Sequence, residues 1–156
     1  MKKFFFLIFS ILIISSCSKK DTTAQKTAEA VQTLDKETVF SFDVNNLTSG
    51  CDTNSEIVCA INTTVKCILN PEFSDCKNNK DNMPSFVFMQ DETLTRPTFQ
   101  SYKITKLTPR ADGSVEVHTQ SSCNGNWFGL CNGNIIYVMK NINNIWQIKD
   151  MYALEF

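Results

Sequence analysis

The chain has 156 residues with 15 basic, 16 acidic and one histidine, giving a net charge of −1. A balance this close to neutral leaves no electrostatic footprint for nucleic acid. The length suits one domain plus a tether.

The first sixteen residues read as an export leader and are set aside from the fold. Lys2 and Lys3 give a positive start, and Phe4 to Ile14 form an apolar run of eleven residues broken only by Ser10. A spanning helix needs about 20 apolar residues, so this run is an export signal and not a permanent anchor. The ending Ile13-Ile14-Ser15-Ser16-Cys17 resembles the bacterial lipobox: an aliphatic residue, two small residues, then cysteine. The resemblance implies a bacterial lipoprotein, in which Cys17 receives a diacylglyceryl group and becomes residue one of the mature chain. Several acyl chains, at about 0.8 kcal/mol per buried methylene, would make a firm membrane anchor. Ser18 in place of Asp after the cysteine implies the outer membrane of a Gram-negative envelope. Without Lys2 and Lys3 the mature chain carries 13 basic against 16 acidic residues, a net charge of −3.

Residues 17–35 are rich in Thr, Ala, Lys and Gln and are expected to be a flexible tether between the lipid and a single globular domain over residues 36–156. Val39, Phe40 and Phe42 mark where apolar bulk begins.

With Cys17 assigned to lipid, six cysteines remain: Cys51, Cys59, Cys67, Cys76, Cys123 and Cys131. An even set in an exported chain predicts a disulfide framework. Their gaps of seven, seven, eight, forty-six and seven residues contain no Cys-x-x-Cys pair, which disfavours zinc and thioredoxin-like chemistry. No metal and no cofactor is expected.

Thr53 or Asn54 can cap a helix with Glu56 in its first turn, and Ile57, Ile61, Val65, Ile68 and Leu69 share one face. Asn70-Pro71 ends it. Eight residues along a helix rise about 12 Å, whereas bridged Cα atoms lie within about 7 Å, so a helix over about 54–69 forbids Cys59–Cys67. Cys67–Cys76 is preferred, since the chain can fold back after Pro71, and Cys51–Cys59 follows by elimination.

Residues 72–98 are polar and irregular apart from Phe86-Val87-Phe88-Met89. From Phe99 the pattern turns to strands. One runs to Pro109, and Asp112-Gly113 is a turn signal. Val115, Val117 and Thr119 alternate with Glu116, His118 and Gln120, a third strand covers Asn134 to Lys140, and a fourth covers Ile145 to Leu154. Cys123 and Cys131 bracket a loop with Trp127 and Phe128 at its centre, and opposed cysteines at the neck of a hairpin can reach bonding distance. The predicted fold is thus α+β, one main helix on a disulfide-stapled antiparallel sheet of about four strands.

This helix-then-meander order, closing on Asn143-Asn144-Ile145-Trp146-Gln147-Ile148-Lys149-Asp150, resembles the NTF2-like family over residues 54–156. Many of its members carry a tryptophan two residues before an aliphatic position on the last strand, as Trp146 and Ile148 stand here. The resemblance implies a curved sheet and helices around a pocket, which is catalytic in some members and not in others.

His118 is the candidate general base and shares a strand face with Glu116 and Gln120; the alternative is a polar residue on the wetter face of the sheet. No serine elbow, metalloprotease helix or phosphate loop is present, and oxidised cysteines leave no thiol nucleophile. Trp127 and Phe128 are the candidate recognition residues, because aromatics on a rigid loop lose little entropy on binding; the alternative is that one or both rings fold onto the sheet and seal the core. The reading that follows is a membrane-anchored envelope domain, non-catalytic, binding a protein or small-ligand partner. The alternatives are an accessory lipoprotein of an envelope or secretion complex and an NTF2-like enzyme using His118.

Overall fold

The computed structural model describes residues 38–130 and 132–154. The leader, Cys17 and the tether lie outside the described residues, as does Cys131 and with it the expected Cys123–Cys131 pairing.

The described residues open with a strand the sequence pattern did not mark, β1 (Val39–Asp43), so among them the sheet has five strands and not about four. A single 3-10 turn over Val44–Asn46 follows, with Asp43 capping it through the Asn45 amide at 2.8 Å. The main helix, α1 (Glu56–Leu69), is capped by Ser55, one residue beyond the expected Thr53 or Asn54. Ser55 Oγ accepts from the Val58 amide at 3.4 Å, and Glu56 stands in the first turn where the helix dipole favours an acid. At the other end the Asn70 amide donates to the Lys66 carbonyl at 2.8 Å before Pro71 stops the helix. Ile57, Val58, Ile61 and Val65 are fully buried along one side, each contributing about 1.5–3 kcal/mol by leaving water.

Residues 70–98 hold a short helix, α2 (Ser74–Asn79), and 3-10 turns at Lys80–Asn82 and Ser85–Phe88. The remaining strands are β2 (Phe99–Pro109), β3 (Val115–Cys123), β4 (Gly133–Ile142) and β5 (Ile145–Leu154). All pairings are antiparallel and the spatial order is β1-β2-β3-β4-β5. Asn143 and Asn144 both adopt positive φ (53° and 65°), which joins β4 to β5 by the two-residue turn whose twist matches its strands.

α1 touches β1 and β2 at one edge of the sheet and β5 at the other. A 14-residue helix is about 21 Å long and five strands span about 19 Å, so α1 crosses the sheet, meeting β5 with its first half and β1 near its end. The register shifts at Ile104/Lys106 and Val138/Met139 are bulges of the kind that bend strands. The concave face supplies Tyr102, Ile104, Val117, Ile135, Tyr137 and Trp146 to the core around α1.

Two disulfides pin the helix to its flanks: Cys51–Cys59 near its start and Cys67–Cys76 near its end, with Cα atoms 5.5 and 5.6 Å apart. Lys66 and Tyr102 carry polar groups into the core and find partners there, whereas the buried side-chain amide of Gln100 has no hydrogen-bond partner among the described residues. Lys66, 4% exposed, donates to the carbonyls of Thr48 and Gly50 at 2.7 and 2.8 Å. Tyr102 stacks on Phe40 and donates its hydroxyl to Asn62 Oδ1 at 2.5 Å, joining β2 to α1. Burial pushes the Tyr102 hydroxyl well above its ordinary pKa, so it remains a donor at all ordinary pH.

Tyr102→Phe strips Asn62 Oδ1 of this donor inside the core. Urea unfolding should show a loss of about 1–3 kcal/mol, and an unchanged midpoint would refute the bond's structural role.

Candidate functional site

The loop after β3 is welded to the segment before β2. Asn124 Oδ1 accepts the amides of Thr98 and Phe99 at 2.9 and 3.0 Å, and its Nδ2 donates to Thr98 Oγ1 at 2.8 Å. Thr95 and Asn126 exchange a pair of backbone bonds at 3.1 and 3.0 Å. A side chain at Gly125 would place its Cβ 2.7 Å from Thr95 O and Pro97 N, so only glycine fits this approach. Trp127 turns inward, 2% exposed, and belongs to the core. The Arg96 guanidinium covers its ring 3.9 Å from the centroid. The same guanidinium donates to the carbonyls of Ile68, Val87 and Met89 at 2.9, 3.0 and 2.8 Å. Of the two aromatics singled out from the sequence, only Phe128 reaches the surface. It is 38% exposed, has positive φ (51°), and sits edge-on to Trp127 and Phe86.

His118 lies on the convex face of the sheet with Glu116, as the strand alternation requires, and faces away from the helix. Glu116 Oε1 accepts from Tyr152 OH at 2.9 Å and from Arg110 Nη2, and His118 Nε2 stands 3.4 Å from Glu116 Oε2. Bonds from Tyr152 first and then Arg110 hold the Glu116 carboxyl below its ordinary pKa. The Glu116 carboxylate is therefore an anion held by two donors, with His118 Nε2 alongside, on the face of the sheet away from the helix. Among the described residues no group of three His, Cys, Asp or Glu side chains is placed to hold a metal ion.

The site-like hollow is elsewhere, a cleft of about 320 Å³ at the N-terminal half of α1. Helix α1 gives one wall through Cys59, Ala60, Thr63 and Thr64, and the β4–β5 turn and β5 give the facing wall through Asn144, Ile145, Trp146 and Ile148. Asn79, Asn82 and Met83 close the side. Gln147 Nε2 donates to Asn82 Oδ1 at 2.7 Å and so fastens that side to β5. The Cys51–Cys59 bond fixes the approach to the helix, which brings Thr53 and Asn54 to the mouth. The floor is apolar and the rim is amide and hydroxyl, with Glu56 the one ionisable group that the described residues bring to it. Neither His118 nor the 124–130 loop contributes. Sequence reasoning missed this cleft because its walls come from separate segments. The one available signal was the Asn143-Asn144 turn next to Trp146.

Comparison with protein-family models, with curated proteins and with solved structures yields no match to this chain.

Two outcomes follow. Gly125→Ala should lower stability by about 1–3 kcal/mol through overpacking against Thr95 and Pro97, read as a drop in Tm; an unchanged Tm would contradict the weld. Because the Glu116 carboxyl is depressed in the fold, its stabilisation is full above the unfolded-state pKa of about 4.3 and lost as pH falls through the lower folded value. Glu116→Gln should therefore flatten the acid limb of a plot of Tm against pH, and an unaltered acid limb counts against the cluster.

Proposed function

We propose that the chain is a lipid-anchored envelope protein whose folded domain binds a small ligand, without catalysis, in the cleft between α1 and β5. The observation that carries the anchor is Ile14-Ser15-Ser16-Cys17 at the end of an eleven-residue apolar run. The Cys51–Cys59 and Cys67–Cys76 bonds support it, because stable disulfides belong to oxidising compartments such as the periplasm. On this reading Cys17 carries acyl chains, residues 17–35 hold the domain off the membrane, and Ser18 directs the protein to an outer membrane. A Cys123–Cys131 bond at the neck of the Trp127 loop completes the framework.

Binding rather than catalysis is favoured by the cleft's chemistry. General acid–base work needs two groups of differing pKa within reach of one substrate, and among the described residues Glu56 is the one ionisable side chain there. His118, on which an enzymatic reading depends, is on the opposite face of the sheet. The likeness of residues 54–156 to the NTF2-like family is supported by the helix-then-meander order of an antiparallel sheet and by Trp146 and Ile148 in the core. The interior around α1 is filled by side chains, which supports a ligand site at the mouth of the fold rather than inside it.

Intact mass of the protein extracted from membranes tests the anchor. The expected species starts at Cys17, carries diacylglyceryl or triacyl mass, and has lost two hydrogens for each disulfide. A chain that retains residues 1–16, or starts at an unmodified Cys17, overturns the proposal.

A further inference from the structure

We infer that the ligand of the α1–β5 cleft is a neutral saccharide, a proposal that rests on the cleft-binding reading above. The argument begins with charge. Among the described residues no Lys, Arg or His lines the cleft, so an anionic ligand would shed water with no compensating charge. Glu56 is exposed in the first turn of α1, where solvent and the helix dipole already satisfy it. It does not call for a cation.

The remaining chemistry has two parts. Ala60, Met83, Ile145, Trp146 and Ile148 make an apolar floor, with Ile145 51% exposed at its lip. Asn54, Asn79, Asn82 and Asn144 stand around it. A carboxamide presents a donor and an acceptor side by side, and neighbouring hydroxyls on a sugar ring present the same pair. Two of the four amides are already oriented. Asn79 Nδ2 donates to Asp75 O at 2.8 Å, which leaves Asn79 Oδ1 as an acceptor. Asn82 Oδ1 accepts from Gln147, which leaves Asn82 Nδ2 as a donor. Thr63 and Thr64 donate their hydroxyls back to Cys59 O and Ala60 O, so they offer lone pairs only.

A wholly apolar ligand would cover these groups and leave them without partners, at a substantial cost for each. A polyhydroxylated ring answers both parts, since its hydroxyls meet the amide rim while its C–H face lies on the apolar floor. The volume, about 320 Å³, is at the small end of ligand pockets and suits a short saccharide unit.

Trp146 makes the site readable. The chain has two tryptophans, and the other, Trp127, is buried under Arg96. The full-length protein, held in a detergent without a sugar headgroup, is titrated with N,N′-diacetylchitobiose, maltose and spermidine while tryptophan emission is followed. A disaccharide is expected to give a saturable change. Asn144→Gly, which keeps the positive-φ turn and deletes the amide, and Asn54→Ala should each weaken that change about tenfold. Ala60→Leu should fill the cleft and abolish it with Tm preserved. If spermidine saturates the signal and neither sugar does, the saccharide assignment is overturned and cleft binding stands. If nothing saturates by about 10 mM, where a site of about 1 mM affinity would be mostly filled, both the saccharide and the cleft reading are overturned. The anchor is decided separately by mass.

Discussion

The guanidinium of Arg96 is the contact on which the rest of the domain depends. The thirty residues or so between α1 and β2 contain little regular structure, and an irregular segment leaves carbonyls that must find donors. Arg96 answers three of them at once, one from the C-terminal turn of α1 and two around the Ser85–Phe88 turn. Bonds from a charged donor are roughly twice as strong as neutral ones. Its flat face then covers the indole of Trp127, so one side chain joins the helix, the connector and the loop after β3. Lysine, with a compact point charge, could not form this fork and stack together.

The path of α1 across the sheet decides where a ligand can go. Beneath the helix the interior is occupied by Ile57, Val65 and Tyr137, all fully buried. What stays open is the cleft between the N-terminal half of the helix and the β4–β5 turn. The cleft is thus a product of strand length and turn geometry, with Asn143 and Asn144 in left-handed conformations holding its far wall.

Much of this architecture was legible in the sequence, and the misses have identifiable causes. The helix face, its stop at Asn70-Pro71 and the alternation of Val115, Val117 and Thr119 are local signals, and they predicted α1 and four strands. β1 was invisible because it has five residues and pairs across the whole helical segment with Lys103 to Phe99. α2 was invisible because Ser74–Asn79 has no apolar periodicity; the Cys67–Cys76 bond ties it to α1. Trp127 stands among Asn and Gly, a setting that fits a presenting loop and a core-sealing ring equally. Only the approach of Arg96, and of Thr95 and Pro97 to Gly125, turns the ring inward. Those are long-range contacts that no window along the chain contains.

The position of β1 also has a mechanical side. Its ladder to β2 has five residue pairs, and it is an outer strand of the sheet. Tension entering the domain from the N-terminal side falls on Val39 first and is borne by that ladder before it reaches β2. The next restraints inward are the Lys66 clasp on Thr48 and Gly50 and the covalent Cys51–Cys59 link. A pull strong enough to peel β1 would thus extend the chain by one short strand and a loop, after which the Cys51–Cys59 link shields residues 52–58 and hands the load directly to α1. From there it is borne by the packing of the helix on the sheet.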